Sequence, residues 1–125
     1  MAGSFVIPWY ATGFRGDALE EALQEIAPIA LRYGASSWAI YRLLDDRYRF
    51  QHYSMFEDKS DFELYWNGPE FSDWRAQYSS WYQIPVVYSP VTLVASGRLG
   101  REDEGDGNGN GNGGTGVSPA RAGPS

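Results

Sequence analysis

Residues 56–82 read FEDKSDFELYWNGPEFSDWRAQYSSWY and hold Trp66, Trp74 and Trp81, three of the five tryptophans in the 125-residue chain. Phe56, Phe62, Phe71, Tyr65, Tyr78 and Tyr82 lie among them, with Arg75 as the segment's one arginine. So much aromatic surface must be covered by a sheet, a ligand or a second subunit. The segment also carries its own punctuation. Ser60 and Glu63 stand at capping-box spacing ahead of a short helix over residues 62–66. Asn67-Gly68 stops that helix, and Pro69 suits the first turn of another, in which Phe71, Trp74, Tyr78 and Trp81 recur at helical spacing.

The rest of the chain must supply the covering surface. Residues 5–12 (FVIPWYAT) read as a first strand, with Phe5, Ile7, Trp9 and Ala11 alternating onto one face. Pro8 has no ladder donor, so an edge or a bulge is expected there. Residues 17–33 show an apolar stripe of Leu19, Leu23, Ile26, Ile29, Ala30 and Tyr33 at helical spacing, and Gly34 is the stop. Pro28 inside that pattern should kink the helix or split off its last turn. Residues 36–44 and 48–56 form the second and third strands, joined by a tight turn at Asp45-Asp46-Arg47. On the third, Phe50, His52, Ser54 and Phe56 share one face. Residues 85–95 (PVVYSPVTLVA) read as the last strand, interrupted at Pro90. The order β-α-β-β-α-β predicts an α+β, ferredoxin-like unit with a four-stranded antiparallel sheet and helices on one face.

Both faces of the second and third strands carry large apolar residues. A sheet with helices on one side and apolar residues on the other calls for a second sheet, so a homodimer packed sheet on sheet is expected. Residues 1–99 form the folded domain. Residues 100–125 (GREDEGDGNGNGNGGTGVSPARAGPS) contain no aromatic residue and are expected to be a disordered Gly/Asn-rich acidic tail. The tail lacks the apolar anchor that a docking peptide normally needs.

Charge and composition remove several function classes. The net charge of −6 and the single lysine argue against nucleic-acid and anionic-membrane partners. No cysteine is present, so thiolate chemistry, disulfides and cysteine-ligated metal are excluded. The start of the chain reads as no signal peptide, and no apolar run spans a membrane, so a cytoplasmic protein is expected. No nucleophile triad, phosphate loop or dinucleotide fingerprint occurs.

The segment YRFQHYSMFEDKSDFELYWNGPEFSDWRA resembles the strand-to-helix segment of the antibiotic-biosynthesis-monooxygenase-like superfamily, and IAPIALRYGASSWAIYR is similar to its first-helix end and second strand. The resemblance spans residues 5–97. It implies a dimeric α+β barrel with a pocket in each subunit between sheet and helices. Some members are cofactor-independent oxygenases of polyketide or quinol substrates, others degrade haem, and many have no known activity. The haem-degrading motif needs an Asn on strand one, a Trp early in the second helical segment and a ligating His further along. Here FVIPWYAT has no Asn and the His position falls near Arg75, so haem degradation is rejected and no cofactor is expected.

His52 is the sole histidine. It reads as a base for a phenol or enol proton or, more simply, as a hydrogen-bonded strand residue. A zinc site would need a second His or Cys, which the chain lacks, and no metal is expected. Arg75 reads either as a ligand for a substrate carboxylate or phenolate, or as a surface partner of Glu70 or Asp73. Trp9, Trp38, Tyr65, Trp66, Trp74 and Tyr78 are the candidate walls of a pocket for a small hydrophobic or aromatic ligand; their simpler reading is core. Two functions follow: a cofactor-free monooxygenase of an electron-rich aromatic substrate, or a non-catalytic dimeric module that binds a small molecule or serves in assembly.

Overall fold

The computed structural model describes residues 3–100. The expected tail therefore lies, apart from Gly100, outside the described residues. Strand β1 is Gly3–Tyr10, helix α1 is Gly16–Ile26, β2 is Ser37–Arg42 and β3 is Arg49–Phe56. Helices α2 (Lys59–Asn67) and α3 (Pro69–Gln77) follow, and β4 is Ser89–Val91. The strands form one antiparallel sheet in the order β2-β3-β1-β4. This is the ferredoxin-like order expected from the α+β pattern. The compact unit ends at Thr92, and residues 93–100 carry no helix or strand.

Alternation sets the two faces. Phe5, Ile7 and Trp9 of β1 and Phe50, His52, Ser54 and Phe56 of β3 are buried, and they form the sheet side of the core. Leu19, Ala22, Leu23 and Ile26 of α1, with Phe62, Tyr65, Phe71 and Trp74 of α2 and α3, form the helix side. After Ile26 the α-helix gives way to a 3-10 segment over Ala27–Tyr33. Pro28 explains the change, because it has no N–H for the α-helical ladder. Gly34 closes the segment at φ 102°, a left-handed conformation that suits glycine.

Several local expectations are corrected. The β2–β3 connection spans residues 43–48, longer than the tight turn of Asp45-Asp46-Arg47. Asp46 organises it, its Oδ1 accepting from Tyr48 N at 3.1 Å. Helix α2 begins at Lys59 with Asp58 as N-cap and no side-chain cap, so Ser60 does not act as the capping residue. Trp81 lies beyond the end of α3. The last strand is three residues long, against the eleven read from residues 85–95, and pairs with β1 only at Ser4, Phe5 and Val6. Pro8 consequently sits where β1 has left β4 and keeps β3 as its ladder partner, which tolerates the missing donor.

Arg42 ties the hairpin to α1. Its guanidinium donates to Asp17 and Glu20, each at 2.9 Å, and to the Arg47 carbonyl at 2.6 Å, and it lies over the Phe50 ring. The opposite face of the sheet presents Val6, Pro8 and Tyr10 of β1, Tyr53 and Met55 of β3, and Ala39 and Tyr41 of β2. Register places Tyr53 between Val6 and Ala39. Pro8, Tyr10 and Tyr41 are exposed and the others half-buried.

Candidate functional site

The site is built from the β1–β3 ladder. Register sets Ile7 opposite His52 and Trp9 opposite Phe50, so the side chains of Trp9 and His52 stand diagonally on the inward face. The Trp9 indole Nε1 donates to His52 Nδ1 at 3.3 Å. His52 is 0% exposed, and burial lowers its pKa to about 4, so the imidazole is neutral at physiological pH. Among the described residues its Nε2 has no hydrogen-bond partner, and neither has the buried Ser54 Oγ, the next inward residue of β3.

Aromatic rings close over this polar spot. Trp66, Phe71, Trp74 and Tyr82 surround Trp9 at centroid distances of 5.0 to 6.5 Å, and Phe71 lies 6.2 Å from the imidazole. Two of the walls are tethered to α1. The Trp74 indole donates to Ala22 O and the Tyr65 hydroxyl to Ile26 O, both at 2.8 Å. Burial pushes the Tyr65 phenol far above its ordinary pKa, so it stays a neutral donor.

Arg75 closes one end of the layer. Its guanidinium lies 3.9 Å from the Trp66 ring centroid and 5.0 Å from that of Phe71, and its Nη1 donates to Trp66 O at 2.8 Å. Burial lowers its pKa. Among the described residues no carboxylate lies within ion-pair distance of it. Glu70, one surface partner read from the sequence, accepts instead from the Tyr33 hydroxyl at 2.5 Å, which holds its carboxyl below the usual range.

Of the residues singled out in the sequence, Trp9, His52, Tyr65, Trp66, Trp74 and Arg75 come together between sheet and helices. Trp38 and Tyr78 stay at the margin. Trp38 is half-buried on β2 opposite Ser54. Tyr78 follows α3, beside Trp74 and Trp81, with its hydroxyl bonded to Glu25 at 3.0 Å. Ser54 and Tyr82 were missed. Strict alternation from His52 was the signal for Ser54, a small polar residue on a buried face. An opening of about 240 Å³ lies on the other side of the sheet, where Pro8, Tyr10, Arg49 and Gln51 meet the segment of Gln83, Ile84 and Pro85. Among the described residues no group of three His, Cys, Asp or Glu side chains gathers as a metal site, and no helix is long and apolar enough to cross a membrane. The interior thus brings flat aromatic rings, a neutral imidazole, a hydroxyl and one cation together, packed against one another between sheet and helices.

No family model matches the chain, and no curated protein matches it in sequence. Solved structures do match. A provisionally named antibiotic biosynthesis monooxygenase from Nitrosomonas europaea is similar with a TM-score of 0.67 at 17% identity, over 74% of this chain and 90% of that one. A second provisionally named antibiotic biosynthesis monooxygenase, from Bordetella bronchiseptica, gives 0.67 at 14% identity over 75% and 98%. SnoaB, a cofactor-independent oxygenase from Streptomyces nogalater, gives 0.65 at 14% identity over 76% and 95%. The chain shares the fold of these three structures.

Proposed function

We propose that this chain is a small cofactor-independent monooxygenase that oxidises a planar, electron-rich aromatic substrate of the polyketide or quinol type, working in the cytoplasm as a homodimer. The observation that carries the reading is Arg75, a half-buried cation with no carboxylate in ion-pair distance among the described residues, stacked on the aromatic layer that encloses His52. An unpaired cation against a flat apolar wall favours a guest that is both planar and anionic, as a phenolate or enolate is.

The chemistry then needs no external reductant if the substrate supplies every electron. An activated methylene flanked by aromatic rings loses a proton to water to give a carbanion or enolate, which reacts directly with oxygen. In the net reaction the CH₂ group and O₂ become a carbonyl and water. The two C–H bonds supply the four electrons that reduce O₂, one oxygen atom entering the product and the other leaving as water. Arg75 stabilises the anion. Trp9, Tyr65, Trp66 and Trp74 hold its plane, Trp38 and Tyr78 flank the layer, and His52 contacts the ionisable end of the substrate.

The homodimer is supported by the outward face of Val6, Tyr53, Met55, Ala39 and Tyr41. Burying it against a second sheet would remove the exposed apolar surface and place a wall behind each site. A second reading, a non-catalytic dimeric binding or assembly module, is favoured by the ring-against-ring packing around Trp9. Oxygen consumption with anthrone separates the two. Uptake above the buffer rate supports the oxygenase; binding without uptake supports the module.

A further inference from the structure

From the two unpartnered polar atoms on β3 we infer that His52 acts as a fixed hydrogen-bond donor, through Nε2–H, to an oxygen of the substrate, with Ser54 Oγ as a second contact in the same buried seat. The inference rests on the oxygenase reading and changes the part that His52 plays in it. A neutral imidazole carries one proton, on the nitrogen that is not accepting a hydrogen bond. Nδ1 accepts the Trp9 indole N–H, and an indole nitrogen can only donate. The proton of His52 is therefore on Nε2.

A nitrogen that already holds a proton is not a base. Nε2–H is a donor, and it stands without an acceptor on a face where every other large neighbour is apolar or aromatic. Ser54 Oγ is the next inward position, roughly 7 Å along the strand. Leaving such groups unpaired in a core is unfavourable, and buried polar atoms in folded proteins almost always have partners. Two of them, on successive inward positions of one strand, mark a place built for a guest with oxygen atoms. For a substrate that becomes a phenolate or enolate, a neutral donor at the oxygen favours the anion while the donor keeps its own proton. Trp9 then does two things: its ring borders the plane of the substrate, and its indole N–H holds the His52 tautomer.

The single histidine makes this directly measurable by nitrogen NMR on protein labelled with [15N]histidine. The expected tautomer is Nε2–H. Adding anthrone without oxygen should shift the Nε2 proton downfield, and Trp9→Phe should give a mixture of tautomers. Ser54→Ala should weaken anthrone binding roughly tenfold while leaving the melting temperature unchanged or higher, since it removes an unpartnered buried hydroxyl. A structural serine would instead lower the melting temperature. An Nδ1–H tautomer, or anthrone turned over with the Nε2 proton unmoved, overturns the seat and leaves the oxygenase reading standing. Anthrone that neither binds nor consumes oxygen overturns both.

Discussion

The Trp9 indole N–H points across the β1–β3 ladder to Nδ1 of His52, 43 residues away in sequence, and both side chains are buried. This bond joins β1 to β3 on the inward face of the sheet. It couples the charge state of His52 to folding, because a protonated imidazole could no longer accept the indole N–H.

That coupling has a sign. The folded pKa of His52 lies at about 4, below the 6.5 expected of an unfolded chain, with burial as the cause. The unfolded state therefore binds a proton that the folded state refuses, and stability falls as pH drops from about 6.5 toward 4. Between pH 7 and pH 5 the loss should be about 2 kcal/mol in urea denaturation. Tyr33 holds the Glu70 carboxyl below its ordinary value, so a contribution from it has the same sign and comes at the acid end of the window. A stability that is flat between pH 7 and 5 would show that His52 is solvated.

Gly68 joins α2 to α3 where no side chain fits. A Cβ there would lie 2.6 Å from the Tyr33 hydroxyl and 2.7 Å from the Leu64 carbonyl oxygen. Gly68→Ala should cost about 2 kcal/mol and break the Tyr33–Glu70 bond, read as a fall of the Tyr33 phenol pKa toward its ordinary value. Unchanged denaturation would mean that the two helices part without penalty.

Arg75 is expected to matter for binding more than for folding. Arg75→Gln should weaken binding of anthrone, as its anion, about tenfold. Arg75→Lys should recover only part of that, because an ammonium restores charge without the flat stack on Trp66. Equal affinity in all three proteins would remove Arg75 from the site.

The outward face should hold two copies together. Tyr53 is registered between Val6 and Ala39 at its centre. Sedimentation of the natural protein at micromolar concentration should give a dimer, and Tyr53→Arg, which sets two cations against each other near the two-fold axis, should give a folded monomer. A natural monomer would contradict the sheet-on-sheet arrangement.

Much of this architecture is legible in the sequence because alternation is a strong signal. Phe50, His52, Ser54 and Phe56 read as one face and are buried as one face. Pro69 opens α3, and Pro28 ends the regular part of α1. The last strand is not legible. Residues 85–95 are rich in β-branched residues, yet a strand exists only where β1 offers a register, and Pro90 leaves one donor fewer to fill it. Ser60 fails as a cap because Asp58 takes the N-cap position and the helix is already under way at Lys59. The site was half visible. Aromatic density pointed to Trp9, Trp66 and Trp74, but the Trp9–His52 bond depends on strand register, which no local pattern encodes.

Oxygen consumption tests the central claim most directly. Purified protein treated with a chelator, given anthrone in an oxygen electrode, should consume one O₂ per anthrone converted to the quinone, well above the buffer rate. Uptake no faster than in buffer alone, with anthrone shown to be bound, would contradict it.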